Sequence, residues 1–229
     1  MNLRQCAILA GGAGTRLGDL TRDTPKPMLP VAGKPFLEHL IAKAARHGLT
    51  EILLLAGHHA GVIEAWLAES RIAERLGVGI ALSIELAPLG TGGALVHARD
   101  QLDEAFLLVN GDTWFDFDWA ELAADGHPAM LALKPTAQAD RYETVILAGG
   151  QVDRFVPRSG LTEPGLINGG VYRLARAVIP ETSGALSLET ALLPRLAETG
   201  QLGGRVFDGP FIDIGVPDSY AKAQGLLAG

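Results

Sequence analysis

An α/β fold, a Rossmann-like three-layer sandwich with a mainly parallel mixed sheet, is what the sequence predicts, and three observations predict it. Short apolar runs recur without period-two alternation, stretches of helical period separate them, and glycine or proline stands at the changeovers. CAILA (6–10) is the first run, apolar on successive residues as in a strand covered on both faces. Pro35 can open a helix in which Phe36, Leu37, Leu40, Ile41 and Ala44 recur at helical spacing until Gly48. EILLLAG (51–57), GIALSIEL (79–86), AFLLVNGD (105–112) and AMLALKP (129–135) repeat the strand pattern, with helix-like segments at 61–69, 91–101 and 118–124. After about residue 140 the strands shorten to ETVILA, QVDRFV and LINGGVYRLA, followed by a helix near 188–198 and a closing FIDIGVPDSYAKAQGLL. No Ser- or Gly-rich linker, repeat or low-complexity tract intervenes, so one domain over 1–229 is expected, its second part continuing the first sheet. Open α/β sheets bind ligands where strand C-termini meet loops, and the motifs are expected on that edge.

Composition excludes several functions. With 48% hydrophobic residues in 229, the chain can bury a large core. Its formal charge of -7 argues against a nucleic-acid or anionic-membrane partner, which would call for a basic face. Cys6 is the only cysteine, in an apolar run, so it reads as a small buried hydrophobe and implies no oxidising compartment. The N-terminal apolar stretch is too short for a signal segment and no run is long enough to span a bilayer; a cytoplasmic protein is expected, as a monomer or homodimer.

Against this acidic background, AILAGGAGTRLGDLTRDTPKPMLPVAGKP (7–35) concentrates glycine and fixed positive charge. It matches neither standard phosphate loop: Leu17 stands where a dinucleotide fingerprint needs a third glycine, and Gly33-Lys34 is followed by Pro35. Gly11, Gly12 and Gly14 nevertheless follow a buried strand and leave amide groups open to an anion, beside Arg16. A glycine-rich turn with a solvated arginine is the plain alternative. Pro25-Lys26-Pro27 favours the anion, because two prolines fix the backbone beneath one ammonium.

The run 11–17, Thr24-Pro25-Lys26-Pro27-Met28-Leu29-Pro30-Val31 and Gly33-Lys34-Pro35 together resemble the signature of the sugar-1-phosphate nucleotidyltransferases. The resemblance extends through PLGTGGA (88–94), Asn110-Gly111-Asp112, INGGVY (167–172) and FIDIG (211–215), nearly the whole chain. It implies attack of a sugar 1-phosphate oxygen on the α-phosphorus of a nucleoside triphosphate, with pyrophosphate leaving, and a division into a nucleotide-binding half (about 1–135) and a sugar-binding half (about 136–229). Joining two polyanions requires charge neutralisation and alignment. By resemblance Arg16 grips the triphosphate, Lys26 bridges the α-phosphate and the attacking phosphate, and Leu9, Ala10, Gly11, Gly12, Gly14 and Thr15 line the nucleotide; Lys34 is a distant helper or merely solvated.

The resemblance also implies Mg2+ on Asp112 and Asp213. Asp112 ends an apolar strand and Asp213 lies between Ile212 and Ile214, settings costly for a carboxylate without a cation; a turn or cap aspartate is the alternative for each. Both are expected to supply charge rather than packing, so alanine at either should remove turnover and leave the fold intact. Asp116 and Asp118 look structural, Asp118 as a helix cap. Glu85, Pro88, Gly90 and Thr91 fall where the family meets the base. A carboxylate at Glu85 suits the paired donors of guanine without proving it, and Thr91 can equally cap a helix. Asn110, Glu143, Asn168 and Gly169 are implied at the sugar. Where many relatives carry Glu-Lys, this chain has Phe155-Val156-Pro157-Arg158, so Arg158 stands for the lysine and the acidic contact is missing.

Within the family, LINGGVY (166–172), Ser187-Leu188-Glu189 and FIDIGVPDSY (211–220) look most like the branch using GTP and D-glycero-D-manno-heptose 1-phosphate. A branch using UTP and N-acetylmuramate 1-phosphate shares the run Asn110-Gly111-Asp112-Thr113-Trp114, and hexose 1-phosphate enzymes are a further alternative. A non-catalytic nucleotide-sugar-binding regulator would be expected to lack Arg16, Lys26 or an aspartate. Little chain follows Asp213, so no appended acyltransferase repeat domain is expected. His58-His59 reads as a loop, not a metal pair; His39, His47, His97 and His127 read as solvated, Trp66, Trp114 and Trp119 as core or rim, and Ser187 has no nucleophile context.

Overall fold

The computed structural model describes residues 3–12, 14–124, 126–139, 142–158, 160, 163–182 and 184–228, with backbone alone at Thr15. In chain order the first half builds β1 (Gln5–Leu9), β2 (Pro30–Val31), β3 (Lys34–Pro35), α1 (Phe36–Arg46), β4 (Glu51–Ala56), α2 (Ala60–Ser70), α3 (Ile72–Leu76), β5 (Gly79–Ile84), α4 (Gly90–His97), β6 (Ala105–Asn110), β7 (Thr113–Phe115), α5 (Trp119–Ala123) and β8 (Ala129–Thr136). The second builds β9 (Thr144–Ala148), β10 (Gln151–Val156), β11 (Gly165–Ala175), α6 (Leu193–Glu198), β12 (Leu202–Val206), β13 (Phe211–Asp213) and α7 (Pro217–Leu226). Tight helical turns cover 15–21, 26–28 and 99–101, and a wide one runs through 188–192 into α6.

A mixed sheet ordered β5-β4-β1-β6-β11-β8-β12-β10-β9 forms the middle layer. β5, β4, β1 and β6 are parallel. Successive side chains of these strands enter two different cores: Cys6, Ile8, Ile52, Leu54, Leu107 and Val109 face α1, α2, α5 and α7, while Ala7, Leu53, Leu55, Phe106 and Leu108 face α4 and 188–197. Both faces are apolar, so these strands show no alternation in the sequence. The Cys6 thiol is fully buried and its pKa pushed up by desolvation.

The sequence order groups AMLALKP with the parallel strands, but β8 sits elsewhere. It is separated from β6 by β11, antiparallel to that strand, and parallel to β12. Burial pattern reveals that a strand is covered, not which strand covers its edge. β7 and β12 are not apparent from the sequence. In β12 a side chain at Gly203 would collide with Met130 and one at Gly204 would lie 2.7 Å from Leu147, so the glycines that weaken the strand signal are the residues that fit. Asp118 Oδ1 accepts the Ala120 N–H at 2.9 Å and caps α5, as expected. His39 and His47 are less solvated than expected: His39 meets Val31 O, and His47 stacks on Trp119 beside Asp118; His97, near Ile84 O, is exposed as expected. These partners lie in or beside other elements, 8 or more residues away, where no helical or strand period announces them.

Candidate active site

The parallel strands end at a cavity of about 920 Å³, walled by the loops after β1, β4, β5 and β6 together with β11 and β13 residues. Leu9, Gly11 and Gly12 form one wall; Ala10 is buried, its N–H bonded to Leu55 O at 2.8 Å. Gly14 does not face the cavity. It holds φ +63°, and its carbonyl takes the Leu17 N–H and the Thr21 hydroxyl, both at 3.0 Å, which turns the chain and presents Arg16 to the cavity. Arg16 is exposed and makes no hydrogen bond or ion pair among the described residues. The Thr15 side chain lies outside them.

Opposite, the 26–28 turn aims Lys26 at Asp112, Nζ to Oδ2 2.8 Å, with the lysine side chain 11% and the aspartate 29% exposed. Asp112 Oδ1 also accepts from the Thr113 hydroxyl at 3.1 Å. Asp213 reaches the same place because β13 pairs antiparallel with β7: Asp213 lies opposite Thr113, and Ile214 N–H donates to Asp112 O at 2.8 Å. Its Oδ1 accepts Gly215 N–H at 3.0 Å and its Oδ2 the Tyr142 hydroxyl at 2.5 Å. A side chain on Gly215 would stand 2.8 Å from Asp213 and 3.3 Å from the Arg16 guanidinium, so that guanidinium and carboxylate share one corner. No group of three or more His, Cys, Asp or Glu gathers as a metal cage among the described residues. Two hard carboxylates on adjoining strands in an open cavity do fit a divalent cation that keeps other oxygen ligands. Lys34 stays exposed beside Glu38 at 3.8 Å, off the cavity wall. Asp116 pairs with buried Lys43 at 2.6 Å, whose ammonium also lies over Trp114 and Trp119.

At the β5 end Glu85, Pro88, Gly90 and Thr91 all line the cavity, with exposed Leu86 among them. Burial raises the Glu85 carboxyl pKa above its ordinary value, opposed by the Leu89 N–H donating to Oε2 at 3.3 Å. The Thr91 hydroxyl donates to Glu189 at 2.6 Å and accepts from Leu188 N–H at 2.8 Å. It fastens α4 to the 188–192 turn and does not cap α4.

Asn110, Asn168 and Arg158 line the remaining wall, Glu143 and Gly169 do not. Asn110 Oδ1 is buried without a hydrogen-bond partner in the described structure, an acceptor available to a ligand. Asn168 donates to the buried Tyr172 hydroxyl at 2.8 Å and accepts Gly170 N–H at 2.9 Å, holding the β11 irregularity open. Gly169 faces inward, where a side chain would lie 2.5 Å from the Phe115 ring; it is a packing glycine. Wall residues that the motifs do not single out as contacts are Tyr142, Glu189, His58, His59 and Phe211. Glu189 and Phe211 stand inside matching runs, and Tyr142 next to Glu143, but none of those runs assigns them a contact.

An α/β fold whose sheet edge gathers a free guanidinium, a proline-framed lysine and two adjoining carboxylates defines a protein that handles phosphates. The nucleotidyl transferase family model matches residues 6–228, and the chain belongs to that family. It is 36% identical over 219 residues to a D-glycero-alpha-D-manno-heptose 1-phosphate guanylyltransferase from Campylobacter jejuni, covering 94% of this chain and 96% of the relative. A protein of the same description from Aneurinibacillus thermoaerophilus is 36% identical, covering 97% and 98%. The crystal structure of HddC from Yersinia pseudotuberculosis, also solved in complex with GMP-PN, superposes with a TM-score of 0.87 at 30% identity over 98% of this chain and 99% of that one. No helix among the described residues is long and apolar enough to cross a membrane.

Proposed function

We propose that the protein transfers the guanylyl group of GTP to D-glycero-D-manno-heptose 1-phosphate. A phosphate oxygen of the sugar bonds to the α-phosphorus, the bond from that phosphorus to the β-phosphate oxygen breaks, and pyrophosphate leaves. The observation that carries the reading is the convergence of Arg16, Lys26, Asp112 and Asp213 on one cavity that also holds Glu85 and the Asn110–Asn168 wall. Full-length similarity to two heptose 1-phosphate guanylyltransferases supports the substrate pair.

In this reading Arg16 neutralises charge building on the departing pyrophosphate, and Lys26 holds the α-phosphate against its attacker. Asp112 and Asp213 would hold Mg2+, which when bound adds positive charge against the phosphates. Glu85 accepts the adjacent N–H donors of guanine, the Gly11 and Gly12 backbone lets phosphates approach, and Asn110, Asn168 and Arg158 meet the sugar phosphate. The cytoplasm, where GTP is at hand, is the proposed place of action. Trp114, shared with the UTP-using branch, is buried beside Lys43 and carries no information about the base.

The test is pyrophosphate release from each of four NTPs with heptose, mannose, glucose and N-acetylmuramate 1-phosphates. GTP with the heptose phosphate should be the best pair, favoured over other bases by at least about 10²-fold in kcat/KM, because a mismatched base leaves buried polar groups unpaired. UTP with N-acetylmuramate 1-phosphate as the best pair would refute the guanylyl assignment; binding without release would mark a regulator.

A further inference from the structure

Lys26 is followed at once by the β2–β3 hairpin, whose outward-facing backbone groups are bonded by a neighbouring element. Its register sets Pro30 opposite Pro35 and Val31 opposite Lys34. The flanking cross-strand bond runs from Phe36 N–H to Leu29 O at 3.0 Å, so Pro30 and Pro35 stand at a pair that exchanges no bond in any case, and the Pro30 carbonyl faces outward. Ala32 and Gly33 close the turn with φ of +49° and +79°, which for alanine is a strained conformation that neighbours must maintain.

The neighbour is α7. Gln224 uses both ends of its amide on the hairpin: Nε2 donates to Pro30 O at 2.9 Å and Oε1 accepts Ala32 N–H at 2.9 Å. Tyr220, one helical turn earlier, donates its hydroxyl to the same Pro30 carbonyl at 2.7 Å. The two side chains fix the outer edge of the hairpin at two backbone groups. The same helix begins at Pro217, four residues past Asp213. It therefore ties the segment carrying the lysine to the segment carrying the second carboxylate.

We infer that Gln224 and Tyr220 are positioning residues that set Lys26 against the reacting phosphates. The inference rests on the role proposed above for Lys26. Neither side chain lines the cavity, so neither touches a substrate there. They act through the carbonyl of Pro30 and the 26–29 turn, in which Leu29 N–H returns to Lys26 O at 3.1 Å. A lysine displaced by a fraction of an ångström still attracts GTP but aligns the two phosphates poorly, so the loss should appear in kcat.

The experiment uses the full chain and compares unmodified protein with Gln224→Ala and Tyr220→Phe, at a temperature where circular dichroism shows all three folded. Gln224→Ala, which removes both amide bonds, should lower kcat about tenfold with KM for GTP unchanged within about twofold; small misplacements of catalytic groups carry losses of this order. Tyr220→Phe, which deletes one hydroxyl and leaves Gln224 on the carbonyl, should lower kcat less, and it decides the matter if Gln224→Ala does not fold. Normal kcat in both variants with only a lower Tm would assign α7 a purely structural role and overturn the inference alone, as would a rise in KM at constant kcat. Absence of turnover in the unmodified protein with every NTP and sugar phosphate would overturn the reading of the site, and the inference with it.

Discussion

Replacing Asp112 by alanine should do two separable things, because its carboxylate faces both the cavity and the Lys26 ammonium. At 2.8 Å, with side-chain exposures of 11% and 29%, the pair has a gross attraction of about 6 kcal/mol at an effective dielectric constant of about 20. Desolvation of both ions cancels most of this. What the alanine variant loses is the partner of a mostly buried ammonium that can still reach water through the open cavity, about 1–2 kcal/mol. For a chain of 229 residues that corresponds to a Tm lower by about 2–8 °C. The expectation that alanine here leaves the fold untouched is thus revised by the ion pair. Asp112→Asn keeps an oxygen for Lys26 and should melt within about 2 °C of the unmodified protein. Under the proposed reading both variants lose a charge that would hold the cation, worth several kcal/mol, so pyrophosphate release should fall about 10³-fold or more in each. Melting curves and Mg2+-dependent release measured side by side test this. Turnover within a few-fold in both variants removes the carboxylate from the chemistry, and an alanine variant melting like the unmodified protein removes the ion pair from the stability argument.

Arg16→Ala and Lys26→Ala should each lower kcat more than they raise KM, since in the proposed reading both act on charge that moves in the transition state; a pure KM effect would make them ground-state phosphate clamps. Glu85 supplies a pH test. The ionised carboxylate is the form that accepts two donors from guanine, and burial raises its pKa above the ordinary 4.5. GTP affinity should be full above the raised value and fall as pH drops through it, earlier than for an ordinary glutamate. Titrating GTP binding across pH in Glu85→Gln should show that limb gone; the same limb in the variant would place the titrating group elsewhere.

Much of this site was legible in the sequence because its motifs are contiguous. Arg16 follows the glycines of the β1 turn, and Lys26 is framed by its prolines. Residue type was readable there, orientation was not. Gly14 and Gly169 lie in matching motifs yet off the cavity wall, as does Glu143, which no motif holds: Gly14 shapes the loop and Gly169 fits beneath a phenylalanine ring. Whether a glycine meets a ligand or a side chain depends on what packs beside it, and that partner is Phe115, distant in sequence. Tyr142 and the two histidines reach the cavity from loops, and Glu189 from the 188–192 helical turn, without any periodicity to mark them.

The sequence by itself determined that strands and helices alternate, that the first strands are covered on both faces, and that fixed charge is concentrated at strand ends, because each of these is a property of neighbouring residues. Only the tertiary structure decided that β11 separates β6 from β8, that β7 and β13 pair and set Asp112 beside Asp213, that Lys26 rests on Asp112, and that α7 bonds the outward Pro30 carbonyl of the hairpin after Lys26. Such contacts join residues up to 194 positions apart. Backbone groups are alike at every residue, so the local sequence records which of them lack a donor but not which distant side chain will provide it.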